Sequence, residues 1–421
     1  MTKKLATIRG MATGLAVLMT CLYTACGGGN GGDGPAPLSL TDAEAAPDVV
    51  VAAAGPGAMP AAAGGRKSAS GVPPGHNRGE GPTTSPTTTT TTPTTPTTTT
   101  TTTLSPLMVA VDLSKIPPPG TGTGALNVAP TDEIAPLGAN GAGAFRIPCG
   151  FAHMSFDDPI VFPGQPGRSH LHTFFGNTGA DASSTPESIR STGNSTCRGG
   201  IANRSAYWVP TLIDTRDNTP LKPDGFTAYY KNGTLPAPAV QPMPVGLRMI
   251  AGDPNASGPH PEVFSSRWKC IGGPNNENDL YQSSIGNCDV GATLYQEVFF
   301  PQCWDGVNLD SPDHRSHMSY TARILNPDGK GYHEECPKTH PVVLPHISFN
   351  VTYLVREKDA PLHWRLSSDL YDRSQPGGFS SHGDWFNGWK SDISDAWARN
   401  CVEAMKDCHA HLLGDGRRIF N

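Results

Sequence analysis

Three observations predict an all-β fold for this 421-residue chain. Short apolar or alternating runs are cut by Gly, Pro, Asn and Asp. No ten-residue helical stretch separates them. The cysteines beyond residue 125 are even in number and widely spread. Together these point to an antiparallel β-sandwich or jelly-roll-like domain with one C-terminal helix and up to four disulfides.

The N-terminus reads as an address. "MTKKLATIRGMATGLAVLMTCLYTACGGG" carries Lys3, Lys4 and Arg9, then a short apolar stretch and small residues. This is the order of an export signal, too short to span a bilayer. The "LYTAC" ending resembles a bacterial lipobox and nominates Cys26 for lipidation. Tyr23 replaces the usual leucine there, so plain secretion after Ala25 is the alternative. Residues 1–26 are assigned to this signal. The expected location is extracytoplasmic, either as a cell-envelope lipoprotein held by a lipid anchor or as a secreted protein.

Residues 27–125 form a linker rich in Gly, Pro and Thr, including "TTSPTTTTTTPTTPTTTTTTT". Such a composition buries too little apolar surface to offset ordering entropy, which predicts an extended, disordered stalk. A single disulfide-stapled domain is expected over 126–421. Its strands are read in "AYWVPTLID", "FTAYYK", "VGLRMIAGD", "VFSSRWKC", "ATLYQEVFF", "SHMSYTARI" and "HISFNVTYLV". The chain's net charge is −6, and no basic stripe marks a nucleic-acid partner.

The predicted helix lies in "SDISDAWARNCVEAMKDCHAHLLGDG", where Ile393, Trp397, Cys401, Met405 and Cys408 recur at helical spacing. Ser391 or Asp392 would cap its start and Gly414 its end. The eight domain cysteines are Cys149, Cys197, Cys270, Cys288, Cys303, Cys336, Cys401 and Cys408. No close CxxC pair suggests structural zinc. Pairing is not readable, with one constraint. On a continuous helix Cys401 and Cys408 would be roughly 10.5 Å apart, beyond the ~7 Å that a disulfide spans. Either each has a remote partner or the helix breaks between them.

The chemistry-bearing stretch is "RSHLHTFFGN". On a strand His170 and His172 share one face, roughly 6.5–7 Å apart along the backbone. Two such imidazoles can converge on a metal ion, contact a sugar, or simply satisfy a polar cleft. Third ligands are available at Asp313, His314, His317, His340, His346, and at His382 with Asp384. The last pair is favoured, since a His–Asp couple can orient a metal-bound imidazole or move protons. His409 and His411 read as a solvated pair on the helix. Asp157 and Asp158 precede Pro159 and read as turn formers rather than calcium ligands. Trp304, Trp385, Asn387 and Trp389 resemble a carbohydrate platform, aromatic faces flanked by polar groups. No G-x-S-x-G and no phosphate loop is present.

Three functions follow as expectations: a surface-tethered domain that binds or acts on cell-wall or extracellular polysaccharide; an extracellular enzyme with one transition-metal ion, copper or zinc, on His170, His172 and His382; or an envelope protein with no catalysis.

The blocks "SFDDPIVFPGQPGRSHLHTFFGN", "NRSAYWVPTLID", "GLRMIAGD", "CWDGVNLDSPDHRSHMSY", "CPKTHPVVLPHISF" and "SHGDWFNGW" occur in this order. Together they resemble the domain-of-unknown-function family numbered nineteen-ninety-six, over about residues 145–400. That family is common in secreted fungal and bacterial proteins, some carrying cell-wall-binding modules. The resemblance implies a polysaccharide-rich setting by association only, and brings no established reaction.

Overall fold

Ten strands of the domain assemble into two five-stranded antiparallel sheets. The computed structural model describes residues 108–235, 239–260, 265–272 and 281–421. The leader with Cys26 and the Thr tract lie outside the described residues. In chain order the strands are β1 (Ala144–Pro148), β2 (Phe151–Ser155), β3 (His172–Gly176), β4 (Ala206–Pro210), β5 (Gly225–Lys231), β6 (Arg248–Gly252), β7 (Ser266–Ile271), β8 (Thr293–Phe299), β9 (His346–Leu354) and β10 (His382–Phe386).

The first sheet runs β7-β8-β9-β5-β1 and the second β2-β3-β4-β10-β6. Their facing sides share one apolar core. Phe175 and Tyr207 of the second sheet lie 4.2 and 5.2 Å from Phe226 of the first, ring centre to ring centre. Tyr207 also meets Phe349 edge-on. This is a β-sandwich, as the alternation predicts.

The two sheets differ in their outer faces. Along β8 burial alternates, so the first sheet turns a half-solvated side outward. In β3, β4 and β10 every residue is buried. Tyr207 and Trp208 point to opposite faces, yet both are fully buried. The sequence reading allows only one of them inward. A second apolar cluster on the outer side explains the difference: Trp208, Phe174, Ile250 and Phe386 pack there with Ile160, Ala180 and Ile189 from the segments flanking β3.

Four disulfides join Cys149–Cys197, Cys270–Cys288, Cys303–Cys336 and Cys401–Cys408. Such a count fits an oxidising compartment. The last bridge corrects two expectations. The helix α1 spans Ser391–Trp397, passes into a wider π-type turn over Ala398–Glu403 and ends. Met405 then adopts a left-handed conformation (φ 54°), folding the chain back so that the Cys401 and Cys408 Cα atoms come within 5.7 Å. Gly414 therefore ends nothing, and Lys390 occupies the N-cap with no side-chain cap bond. His409 and His411 lie beyond the helix, their rings parallel at 6.4 Å, with His411 Nε2 3.0 Å from the Glu133 carboxylate.

Packed structure also begins earlier than Leu126. The Asp112 amide donates to the Asn218 carbonyl at 2.8 Å, and the Gly120 amide to the Ala152 carbonyl at 2.7 Å. Gly120 permits this approach, because a Cβ there would sit 2.2 Å from the Phe151 carbonyl oxygen. Among the described residues no helix is long and apolar enough to cross a membrane.

Candidate metal centre

Strand register brings the histidines together. His172 pairs with Pro210 across β3 and β4, and Trp208 pairs with Asp384 across β4 and β10. Continuing that register by two residues puts His382 level with Pro210, so His172, Pro210 and His382 form one transverse row. Side chains two apart share a face, so Phe174, Trp208 and Asp384 stand in the next row of the same outer side. His170, in the loop just ahead of β3, leans over both rings. Ring centres are 4.2 Å apart for His170 and His172, 5.1 Å for His170 and His382, and 5.9 Å for His172 and His382. One nitrogen from each lies within 4.8 Å of the other two. Three imidazoles on one tetrahedral zinc have nitrogens about 3.4 Å apart, given Zn–N near 2.0–2.1 Å.

The backbone sets the tautomers. His172 Nδ1–H donates to the Asp157 carbonyl at 3.0 Å, and His382 Nδ1–H donates to the Ser380 carbonyl at 2.8 Å. Each ring's Nε2 is thereby left with a lone pair. The Nε2 atoms of His170 and His172 are buried without a hydrogen-bond partner among the described residues. Burial holds all three imidazoles neutral. It takes His172 down to about 4, and with the His172 charge it takes His382 down to about 3. His170 falls well below its usual range through burial and then the two neighbouring rings.

Two carboxyls share the neighbourhood. Asp384 is 1% exposed, and its Oδ2 has no partner among the described residues. Burial, reinforced by the charge of Asp158, pushes its carboxyl well above the ordinary range. Asp158, also buried, accepts the Ile160 and Val161 amides at 2.9 Å each, which is the turn expected of it before Pro159. Its proton affinity is raised by burial, and it feels the charge of His382.

The remaining candidates separate cleanly from this cluster. His317 uses both nitrogens, 2.9 Å from Ser311 Oγ and 2.7 Å from the Arg248 carbonyl. His340 uses both as well, on Thr339 and the Ser316 carbonyl. His346 starts β9 on the other sheet, beside Phe299. Asp313 accepts four bonds within its own loop. His314 binds the Asp310 carboxylate through Nδ1 at 3.0 Å.

The four proposed platform residues do not share an exposed face. Trp385, Trp389 and Asn387 are 0%, 1% and 2% exposed. Trp389 Nε1–H donates to the Tyr230 hydroxyl at 3.1 Å, and Asn387 Nδ2 donates to the Pro244 carbonyl at 2.6 Å. The glycines around them serve close packing: a Cβ at Gly388 would meet the Arg204 carbonyl at 2.4 Å. Trp304 lies on a separate three-stranded ribbon, half-buried, its Nε1–H on the Asn308 carbonyl. The sequence reading gives Asp158 only a turn, since its position does not stand at a spacing that marks chemistry.

Fold and site together define a disulfide-stapled β-sandwich with three convergent histidines on the outer face of one sheet. A family model described as Domain of unknown function (DUF1996) matches residues 158–389, which contain His170, His172 and His382. The chain belongs to that family. No curated protein and no solved structure matches it.

Proposed function

We propose that this domain is an extracytoplasmic metal-dependent enzyme whose zinc or copper ion is held by His170, His172 and His382. One observation carries the reading: three neutral imidazoles converge, two of them fixed by Nδ1–H···O=C bonds, with buried unpartnered nitrogens between them. Two histidines elsewhere in the same chain behave differently. His317 and His340 satisfy both nitrogens. Backbone-fixed imidazoles facing one another are the arrangement of a metal site with oriented ligands.

A zinc or copper ion bound there supplies a Lewis acid for polarising an oxygen or lowering the pKa of a bound water. Three protein ligands leave a position open for substrate, as catalytic rather than structural sites do. Asp384 stands on the same face, two residues from His382, a buried carboxyl with an unpartnered Oδ2 that burial keeps protonated and able to give and take back a proton. The four disulfides support an oxidising, extracytoplasmic setting.

The test is calorimetric titration of chelator-treated protein with zinc and with copper. A single ion per chain is expected, and each of His170→Ala, His172→Ala and His382→Ala is expected to weaken binding 100-fold or more. Equal binding by the triple variant, or none by the wild type, overturns the reading.

A further inference from the structure

A cavity of about 170 Å³ opens where β9 ends and β5 begins, and none of the three convergent histidines lines it. Its floor is aromatic. Tyr353 stands one residue from the end of β9, and Trp364 pairs with Asp214 across a short antiparallel ladder. Their rings are 6.3 Å apart, tilted by 57°. Leu221 and Ala360 add aliphatic walls.

Ion pairs build the rim. Arg216 donates through Nε and Nη2 to the Asp214 carboxylate, at 3.0 and 2.5 Å, and its Nη1 lies 3.0 Å from Glu357 Oε2. Asp224 accepts the Leu354 amide at 2.7 Å and takes the Arg356 guanidinium on both oxygens. With Lys222 the lining holds three cations against three carboxylates. Formal charge therefore cancels, and the cavity has no net charge with which to select an ion. The same groups remain strong donors and acceptors, each held in place by its partner.

One group inside is left over. Tyr353 is 2% exposed, and its hydroxyl is buried without a hydrogen bond among the described residues. An unsatisfied buried hydroxyl costs stability, and phenylalanine would pack the same ring without that cost. An occupant that bonds the hydroxyl accounts for its presence.

We propose that this cavity binds one neutral sugar residue, free or at the end of a glycan. Its volume is below the ~300–1,000 Å³ of sites for drug-sized ligands, which limits the occupant to a small molecule. A pyranose matches the lining. Its CH groups meet the rings of Tyr353 and Trp364, and each of its hydroxyls can donate to a carboxylate while accepting from a guanidinium. The Tyr353 hydroxyl supplies the buried contact. Because the rim is ordered by its own ion pairs, binding immobilises few side chains. No bond is made or broken, and the inference does not rest on the metal centre.

The experiment titrates the methyl glycosides of glucose, galactose and N-acetylglucosamine into the full chain, with inorganic phosphate and glycine as charged comparators. Saturation-transfer NMR and calorimetry read the affinity of wild type, Tyr353→Phe, His172→Ala and the surface control Tyr332→Phe. At least one glycoside is expected to bind. Tyr353→Phe is expected to weaken it about 5-fold, the worth of one hydrogen bond, at an unchanged melting temperature. His172→Ala and Tyr332→Phe are expected to bind as the wild type does. Loss of binding in His172→Ala would move the sugar to the histidines and overturn the assignment. Tighter binding of phosphate or glycine than of every glycoside would overturn the ligand class. Glycoside binding indifferent to Tyr353→Phe, or none at all, overturns the site.

Discussion

His172 and His382 stand two strands apart in one transverse row, with Pro210 between them and ring centres 5.9 Å apart. Pro210 is compact, so the imidazoles can reach toward each other across it. A larger side chain would fill that gap. Pro210→Leu is expected to lower zinc affinity at least 10-fold and cost about 1–3 kcal/mol through overpacking. Pro210→Ala is expected to do neither. Paired metal titration and urea unfolding of the two variants check this.

Asp384 pits stability against function. Its buried Oδ2 lacks a hydrogen-bond partner among the described residues, and an unsatisfied buried polar group costs about 1–3 kcal/mol. Asp384→Leu is therefore expected to leave the metal-free protein as stable or more so. The same variant is expected to lose turnover in any assay that the wild type supports. A melting temperature that falls by several degrees would show the carboxyl to be structural instead.

The strands were legible because their side chains alternate, and the His170–His172 pair because its spacing puts two rings on one side. Burial of the second sheet was not legible. With apolar cover on both faces, "SHGDWFNGW" shows no alternation, and its polar letters read as surface. The break after Glu403 was hidden for a different reason. Ala404, Met405 and Lys406 are all good helix formers, so local propensity continues a helix that the Cys401–Cys408 bridge forbids.

Trp389 belongs to the core, not to a sugar platform. It packs against Phe145, Tyr230 and Trp397 and bonds the Tyr230 hydroxyl. Trp389→Ala is expected to destabilise the fold by about 3–5 kcal/mol, the usual cost of emptying a buried aromatic site. Chemical denaturation measures it. A change below 1 kcal/mol would be incompatible with the packing described.

The disulfides should contribute unequally. The Cys401–Cys408 bridge closes a separation of 7 residues and Cys149–Cys197 one of 48. Loop-closure entropy gives about 2 kcal/mol for the former and about 4 kcal/mol for the latter. Double Ser variants of each pair, compared by thermal unfolding, are expected to rank in that order.

Acid stability carries a signature of His346. Burial, with the Lys231 charge, lowers it to about 4. The unfolded chain binds this proton from about 6.5 downward, and the folded chain only near 4. The stability associated with the neutral ring is thus complete above pH 6.5 and drains as pH falls toward 4. His346→Gln is expected to flatten the unfolding free energy across that window. The lowered imidazoles of His172 and His382 act across the same window, so the variant reduces the slope without removing it, whereas carboxylates held low, such as Asp305 and Asp407, act at lower pH. An unchanged slope between pH 6.5 and 4 would count against the assignment.

A sheet sealed on both sides has a consequence for how faithfully it must assemble. Tyr207 and Val209 face one interior and Trp208 the other, so slipping β4 by a single residue would exchange them. The same slip in β3 or β10 would thrust an imidazole between the two sheets and put Leu171 or Thr173, or Ser381 or Gly383, in its place on the outer face. Correct chemistry and correct packing are therefore one alignment, and a chain that finds its core has already aimed its histidines.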